Sequence, residues 1–264
     1  MFRQEYMPLF FSNTKLFAYT LTRSTDYTFD DVDYSIAHDA FNRWDELIRP
    51  NSRFENDYTI EVEINIDLLE KGTLGSAYIS YVYYFDGFPI RFGNVFPAIA
   101  VIALNKRYIA DMKHDIRDTG KSEYYYVLLH EIGHILGIGS FWKYRDAPMV
   151  SYIENNETKY YYTGVNALRE YIALYQTDAS SSLIGIPIED NGGSGTAFVH
   201  PEEGEDASAN TVQIDGIAHY GLGNELMTGW VDASPSVIPL SRITLGFLED
   251  IGFEVNYELA DKLA

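Results

Sequence analysis

The chain has 264 residues, of which 46% are hydrophobic, and its 39 acidic against 19 basic side chains give a formal net charge of −20. This charge would repel phosphate backbones and anionic lipid surfaces, so binding to nucleic acid or to a membrane is not expected. Because the chain contains no cysteine, disulfides, thiolate metal ligands and cysteine nucleophiles are excluded, and any metal must be held by His, Asp or Glu.

The N-terminal 21 residues carry charged and polar side chains at Arg3, Glu5, Asn13 and Lys15. They contain no apolar run long enough for a signal peptide or a membrane span. Export is therefore handled in another way, or the chain is a mature form. The length of the chain predicts one domain with two lobes.

The N-terminal half predicts a helix packed on a small sheet. Apolar residues recur at helical spacing over residues 30–48, and Pro50 ends the run. Residues 58–69 alternate apolar and polar side chains, which is the period of a strand with one solvated face. Two further runs, 76–85 and 97–104, are rich in β-branched and aromatic residues and predict strands.

The C-terminal half predicts helices and a long loop instead of strands, and the boundary between the lobes is predicted near Gly139. A helix is expected at residues 163–175, followed by a glycine-rich acidic loop over 189–210 and a final helix at 241–252. No repeat or low-complexity tract interrupts this order.

The stretch YYYVLLHEIGHILGIGSFW, residues 124–142, contains two histidines four positions apart. On a helix, His130 and His134 project from the same face and can reach one metal ion. Glu131 points about 100° away around the helix, where it can contact a water at the ion but should not ligate the ion itself. The H-E-x-x-H pattern therefore predicts a zinc site; the alternative is a buried helix whose histidines bind backbone groups.

A third ligand must come from outside this motif. Gly137 would end or bend the helix. Ser140 stands where many metzincins carry their third histidine, so that ligand lies further along the chain. A glutamate on a following helix, for example Glu170, is one alternative.

The C-terminal half resembles the leishmanolysin family of metzincin peptidases, most closely its short, cysteine-free bacterial and phage-type relatives. The resemblance rests on HEIGHILGIG, YTGVNAL, NGGSGTAFVH, and NELMTGW followed by PLSRITLGFLEDIGF, which occur in this order between residues 124 and 257. It implies an α+β fold with two lobes. The N-terminal lobe would hold a small mixed sheet and the active-site helix, and the loop-rich C-terminal lobe would hold a Met-turn and the final helix.

The same resemblance implies domain bounds and residue roles. The chain would be a single catalytic domain, 1–264, with an N-terminal arm at 1–25 and lobes at 26–139 and 140–264. His130 and His134 would be zinc ligands and Glu131 the general base. Met227 would be the methionine beneath the metal.

Two histidines compete for the third zinc position. His200 follows GGSGT as the family's third histidine does, although Pro201 replaces the aromatic residue that usually comes next. His219 is followed by an aromatic residue, Tyr220, and lies closer to the Met-turn. The longer match favours His200, with residues 201–218 as an inserted acidic loop.

The resemblance implies a zinc-dependent endopeptidase that hydrolyses peptide bonds with a metal-activated water and Glu131 as general base. A peptide or protein substrate is expected to bind along an edge strand, for which 97–104 is the candidate. One alternative is a structural or adhesive component of a secreted assembly or virus particle that retains the zinc site; another is an amidase acting on a non-peptide amide. An extracellular or virion-associated location is expected. The chain would be part of a larger assembly if it is a structural or adhesive component.

The remaining conspicuous residues have simpler explanations. His38 and His114 are flanked by acidic residues and are predicted to lie on the surface. The tyrosines of YYYVLL and SYVYYF occur at helix or strand spacing, so they are expected to pack with only their hydroxyl groups in water.

Overall fold

A computed structural model describes most of the chain. The chain divides into two compact units. The first unit consists of Met1–Tyr83 and Phe96–Leu136, and the second unit consists of Tyr84–Val95 and Gly137–Ala264. The residues described are 11–13, 16–22, 26–50, 54, 58–85, 90–154, 156–174, 184–193, 195–203, 212–214, 217–219, 222–223, 225–231 and 237–263.

Helices and strands are mixed along the chain, as the sequence predicts for an α+β fold. The helices are α1 (Asp31–Leu47), α2 (Ile109–His114), α3 (Glu123–Ile135), α4 (Val165–Ile172) and α5 (Arg242–Ile251). The strands are β1 (Phe11–Asn13), β2 (Phe17–Leu21), β3 (Ile48–Arg49), β4 (Ile60–Asp67), β5 (Gly75–Tyr84), β6 (Val95–Asn105), β7 (Met149–Glu154), β8 (Glu157–Tyr162), β9 (Ile186–Ile188), β10 (Val212–Ile214), β11 (Ile217–His219) and β12 (Glu254–Val255). None of the described helices is long and apolar enough to cross a membrane.

The first unit is built on a five-stranded mixed sheet with the strand order β1-β2-β4-β6-β5. Strands β2, β4 and β6 run parallel, whereas β1 is antiparallel to β2. The predicted alternation is observed in β4, where Ile60, Val62, Ile64 and Ile66 are buried. Because side chains alternate along a strand, these four residues form one covered face of the sheet.

Helix α1 packs on this buried face and holds α3 against itself. Tyr19 of β2 is in register with Val62, and its ring stacks on Phe41 of α1 at 4.3 Å between centroids. Trp44 of α1 is fully buried, and its Nε1 donates a hydrogen bond of 3.0 Å to the carbonyl of Leu129 in α3. The core of the first unit therefore fixes α3 one residue before His130.

The strand predicted at 97–104 as the edge strand is not at an edge. It forms β6, which lies between β4 and β5, and β5 ends the strand order. Its even-numbered side chains are buried, whereas Ile99 is exposed and Val101 and Ala103 are partly exposed, so the continuous apolar run does not mark two fully buried faces. The prediction of a strand is confirmed, but its assignment as the substrate edge is wrong.

The tyrosines of α3 pack as predicted, but the hydroxyl group of Tyr124 is buried and not in water, and in β5 the prediction is wrong. Tyr124, Tyr125 and Tyr126 are buried in the helix. In contrast, Tyr81 is 67% exposed and Tyr78 is 58% exposed, so their rings, and not only their hydroxyls, are in water. The composition of residues 76–85 correctly predicts a strand, but it does not predict that the tyrosines of β5 face solvent.

The second unit contains a three-stranded sheet, β7-β8-β9, and the helix pair α4 and α5. The helices approach closely, since a Cβ on Gly246 would lie 2.5 Å from the Cα of Ala167. Asp250 of α5 accepts hydrogen bonds from the backbone amides of Asn166 and Ala167 at 2.8 and 3.1 Å, which caps the start of α4. Both helices were predicted from the sequence.

Candidate metal centre

The two motif histidines of α3 lie together, one helical turn apart. The Nε2 atoms of His130 and His134 are 3.0 Å apart. Two nitrogens bound to one tetrahedral zinc at about 2.0–2.1 Å each would lie about 3.3 Å apart. The pair therefore has nearly the spacing that a shared zinc ion requires, as predicted from the motif.

Glu131 carries a buried carboxyl group with one oxygen that is unpaired among the described residues. It is 5% exposed, and its Oε2 atom has no hydrogen-bond partner within the described part of the chain. Burial raises its pKa to about 8. An unpaired buried carboxyl is unfavourable for stability, and such perturbed groups concentrate at functional sites. The geometry is thus compatible with the role predicted for Glu131.

The chain turns directly after the helix, as expected at Gly137. Helix α3 ends at Ile135, and Gly137 has φ +116°, which L-residues with a side chain rarely adopt. Gly139 also has positive φ, +69°, and a Cβ on it would collide with the carbonyl oxygen of Val199. Within the second unit, the segment that leaves the helix therefore contacts the residue before His200.

His200 is held by backbone interactions in the second unit. It is 4% exposed, and its Nδ1 lies 2.8 Å from the carbonyl oxygen of Thr196. Since a carbonyl can only accept, Nδ1 carries the proton and Nε2 is the ring atom with a lone pair for a metal. The amide of Glu189 donates to the carbonyl of His200 at 3.0 Å, and an antiparallel bridge joins Ile188 to Pro201.

The predicted Met-turn is buried and stabilised by a carboxyl group. Met227 is fully buried, and its amide donates to Glu225 Oε2 at 2.6 Å. Glu225 Oε1 accepts from the amide and hydroxyl of Ser241 at 3.1 and 2.7 Å, and from the hydroxyl of Thr244 at 2.5 Å. Burial raises the pKa of Glu225, and these hydrogen bonds counter part of that rise. The turn is therefore joined to the first turn of α5.

The Met-turn also contacts the segment that carries His200. A Cβ on Gly229 would collide with the Thr196 side chain and would lie 3.5 Å from His200 Nδ1. Only a glycine leaves space for this approach. In the second unit, the turn after α3, the His200 segment and the Met-turn thus pack side by side.

Sequence reasoning missed two residues at this site, Glu225 and Gly75. Glu225 lies in NELMTGW, but a glutamate between polar and apolar residues does not by itself indicate burial. Gly75 starts β5, and a Cβ on it would lie 2.6 Å from Glu131 Oε1. A glycine inside a strand pattern often marks such a close approach, which was the available signal.

The alternative ligand Glu170 is occupied by cations. It is 8% exposed, with Oε1 2.8 Å from Arg169 Nε and Oε2 2.6 Å from Arg242 Nε. Burial alone would raise its pKa, but the hydrogen bonds and charges of Arg242 and Arg169 outweigh burial and the pKa is lowered. Glu170 is a structural ion-pair partner in α4.

The three remaining histidines, His38, His114 and His219, add nothing to the description of the metal site. His38 and His114 are exposed, as predicted. The backbone of His219 lies in β11, which pairs with β10, and its side chain lies outside the described part of the structure. The acidic loop predicted after His200 also falls outside it from residue 204 to residue 211.

His130 and His134 offer two ring nitrogens within the first unit, and His200 offers one within the second. Three imidazoles are a donor set of catalytic zinc sites. A second group that could hold an ion consists of the carboxyl groups of Glu189, Asp190 and Glu202. Lys159 already lies 2.7 Å from Asp190, and nothing else indicates an ion there.

Comparison with known proteins gives one finding. The family model described as Matrixin matches residues 10–175. The match includes both motif histidines and Glu131, and it ends before His200. No curated protein matches the chain.

Proposed function

Because the chain belongs to the Matrixin family of zinc-dependent metalloendopeptidases, we propose that it hydrolyses peptide bonds with Glu131 as general base. The observation that supports this role most directly is the position of Glu131. Its carboxyl group is buried, has an oxygen without a hydrogen-bond partner among the described residues, and follows His130 in the chain. Once the carboxyl group is ionised, an oxygen of this kind can accept a proton from water.

The cofactor is zinc, as in other members of the family. Zinc, when bound, polarises a substrate carbonyl and makes water more acidic. We assign its binding to His130, His134 and His200, three neutral imidazoles. Three protein ligands leave a position open for water or substrate, as catalytic zinc sites require.

Several contacts support His200 as the third ligand. Its Nδ1 is engaged by the Thr196 carbonyl, which fixes the ring orientation and leaves Nε2 as the ligand atom. Metal-binding histidines commonly donate their second ring N–H to a carbonyl in this way. Its segment also packs against the Met-turn through Gly229.

The protein's own groups would carry the proton transfers. Glu131 would take a proton from the attacking water and deliver it to the amine that leaves. Burial raises the pKa of Glu131 in the structure without metal, and a bound cation would stabilise the ionised carboxylate. Met227 would support the site by packing and would not take part in the proton transfers.

The substrate is proposed to bind as an extended peptide along β5. This strand pairs with β6 and has no second neighbour among the described strands. Its residues Ser76, Tyr78, Ser80 and Tyr81 are exposed. A free strand edge binds peptides through main-chain hydrogen bonds, which fix register with little demand on side chains. Gly75, at the start of the same strand, contacts Glu131, so β5 reaches the general base.

We retain the leishmanolysin-like arrangement as a proposal for the C-terminal half. Its basis is the position of His200, 66 residues beyond His134, and the absence of a histidine at Ser140. The Matrixin match ends at residue 175, so it includes Ser140 but does not reach His200. The whole chain would then be one catalytic domain.

The experiment that tests the function is peptide cleavage by the purified chain before and after chelation. We expect cleavage of internal peptide bonds, loss of cleavage with a chelator, and recovery when about one equivalent of zinc is restored. A folded chain that binds zinc and cleaves no member of a diverse peptide library would refute the endopeptidase proposal. Cleavage that persists without metal would refute the zinc mechanism.

A further inference from the structure

Gly75 occupies a position where a side chain is excluded by space and not by backbone conformation. Its φ lies outside the left-handed region, so any residue could adopt its backbone geometry. A Cβ at this position would lie 2.6 Å from Oε1 of Glu131 and 3.0 Å from both Cδ and Cγ. Three atoms of one side chain would thus be too close, and that side chain is the proposed general base.

The strand cannot easily move away from Glu131. The carbonyl of Leu74 accepts a hydrogen bond of 2.8 Å from the amide of Asn105, at the end of β6. The Asn105 side chain is fully buried, and its Nδ2 donates to the carbonyls of Glu70 and Thr73 at 3.0 and 2.6 Å. Moving this backbone would break buried hydrogen bonds, which is costly.

Glu131 can move more easily than the strand. Its Oε2 has no hydrogen-bond partner among the described residues, and a carboxyl at the end of a flexible side chain can rotate. An added Cβ at Gly75 would therefore displace the Glu131 side chain and leave β5 in place. Because Cγ and Cδ are also contacted, the displacement would involve the whole side chain and not only its terminal oxygens.

We propose that Gly75 is a positioning residue: its missing side chain reserves the volume that the Glu131 carboxyl group occupies and so sets the position of the general base. This inference rests on the proposed function of Glu131. It also links the strand proposed to bind substrate to the group proposed to move the proton.

The test is the substitution Gly75→Ala in two backgrounds, wild type and Glu131→Asp. In the wild type, we expect kcat to fall roughly 10- to 100-fold, because a displacement of about 1 Å in a catalytic group can have an effect of that size. KM and zinc content should change little. Aspartate is one methylene shorter, which removes the 2.6 Å contact with Oε1 but keeps a carbon at the Cγ position, so in the Glu131→Asp background kcat should fall clearly less than in the wild type.

Glu254→Ala is the control. Glu254 is exposed in β12 and has no part in the proposed site. This variant should keep the wild-type kcat. An equal fall in kcat for Gly75→Ala in both backgrounds, or no fall in the wild type, would overturn the inference.

A crystal structure of Gly75→Ala gives a readout that does not depend on activity. We expect the Glu131 side chain to adopt a new rotamer while β5 keeps its hydrogen bonds to β6. A displaced β5 with Glu131 unmoved would overturn the inference even if activity falls. If the wild-type chain cleaves no peptide, the proposed function fails, whereas this structural comparison still decides the role of Gly75.

Discussion

The backbone amide of Met227 donates a hydrogen bond of 2.6 Å to the buried carboxyl group of Glu225. The other carboxyl oxygen accepts from Ser241 and Thr244 at the start of α5. One side chain thus fixes the proposed Met-turn and attaches it to a packed helix. The stability of this turn depends on an acceptor with two oxygens.

We expect Glu225→Gln to lower the free energy of unfolding by about 3 kcal/mol, since an amide nitrogen replaces one of the acceptor oxygens and leaves a buried donor unsatisfied. Urea titration measures this change. The control is Glu258→Gln, because Glu258 is exposed and should be neutral to within about 0.5 kcal/mol. Equal stability of Glu225→Gln and the wild type would show that the network is not required for the turn.

Met227→Leu should be mild. Met227 is fully buried, and leucine nearly conserves its volume, so the expected cost is below about 1.5 kcal/mol, with zinc retained. Met227→Ala should cost about 2–5 kcal/mol, because it leaves a cavity. Thermal unfolding and metal analysis of the two variants provide the comparison. Zinc loss from Met227→Leu as severe as that from His134→Ala would mean that the sulfur itself is needed.

Regular, strongly periodic segments were predictable from the sequence. In β4, apolar residues occur at every second position, and in α1 they recur at helical spacing, so each element has one buried face. Both elements lie within two residues of their predicted bounds. The short strands β7 to β11 were not predicted, because three to six residues give too few periods to stand out.

Contacts between residues far apart in the chain could not be predicted from local sequence patterns. The apolar run of β6 predicts a strand, but its central place in the sheet depends on pairing with β4 and β5, which no local pattern specifies. The motif predicts the roles of His130, Glu131 and His134, because their spacing along one helix is enough to place the three side chains relative to one another. Gly75 and Glu225 could not be found in this way, since each acts through a contact across the fold.

Glu170 gives a pH-dependent prediction. Its pKa is lowered in the folded protein, so its ion pairs stabilise the fold above the unfolded pKa near 4.5 and are lost as the pH falls through the folded pKa. We expect Glu170→Gln to lower the free energy of unfolding by about 1–2 kcal/mol at pH 7, allowing for two half-exposed arginine partners.

The difference between Glu170→Gln and the wild type should shrink as the pH falls below 4.5, because the carboxyl is protonated there in the unfolded chain and only at lower pH in the folded protein. Chemical denaturation at pH 7 and at pH 3 measures it. A difference of the same size at both values would contradict the lowered pKa. Zinc content should be unchanged, because Glu170 is engaged by Arg169 and Arg242.

The third zinc ligand can be identified by comparing His200→Ala with His219→Ala. Removing one of three imidazoles should abolish most zinc affinity, whereas removing a histidine outside the site should have almost no effect. We therefore expect His200→Ala to lose zinc and activity and His219→Ala to retain zinc. Competitive zinc titration gives the ranking. The reverse ranking would transfer the ligand role to His219 and leave the peptidase proposal intact.

The central claim is that Glu131 acts as the general base of a zinc endopeptidase, and the most direct test is zinc content and peptide turnover of Glu131→Gln in one preparation. The amide is nearly isosteric with the carboxyl group but cannot accept the proton, so we expect about one zinc per chain with turnover reduced roughly 10²- to 10⁴-fold. Turnover equal to that of the wild type, with zinc bound, would contradict the account.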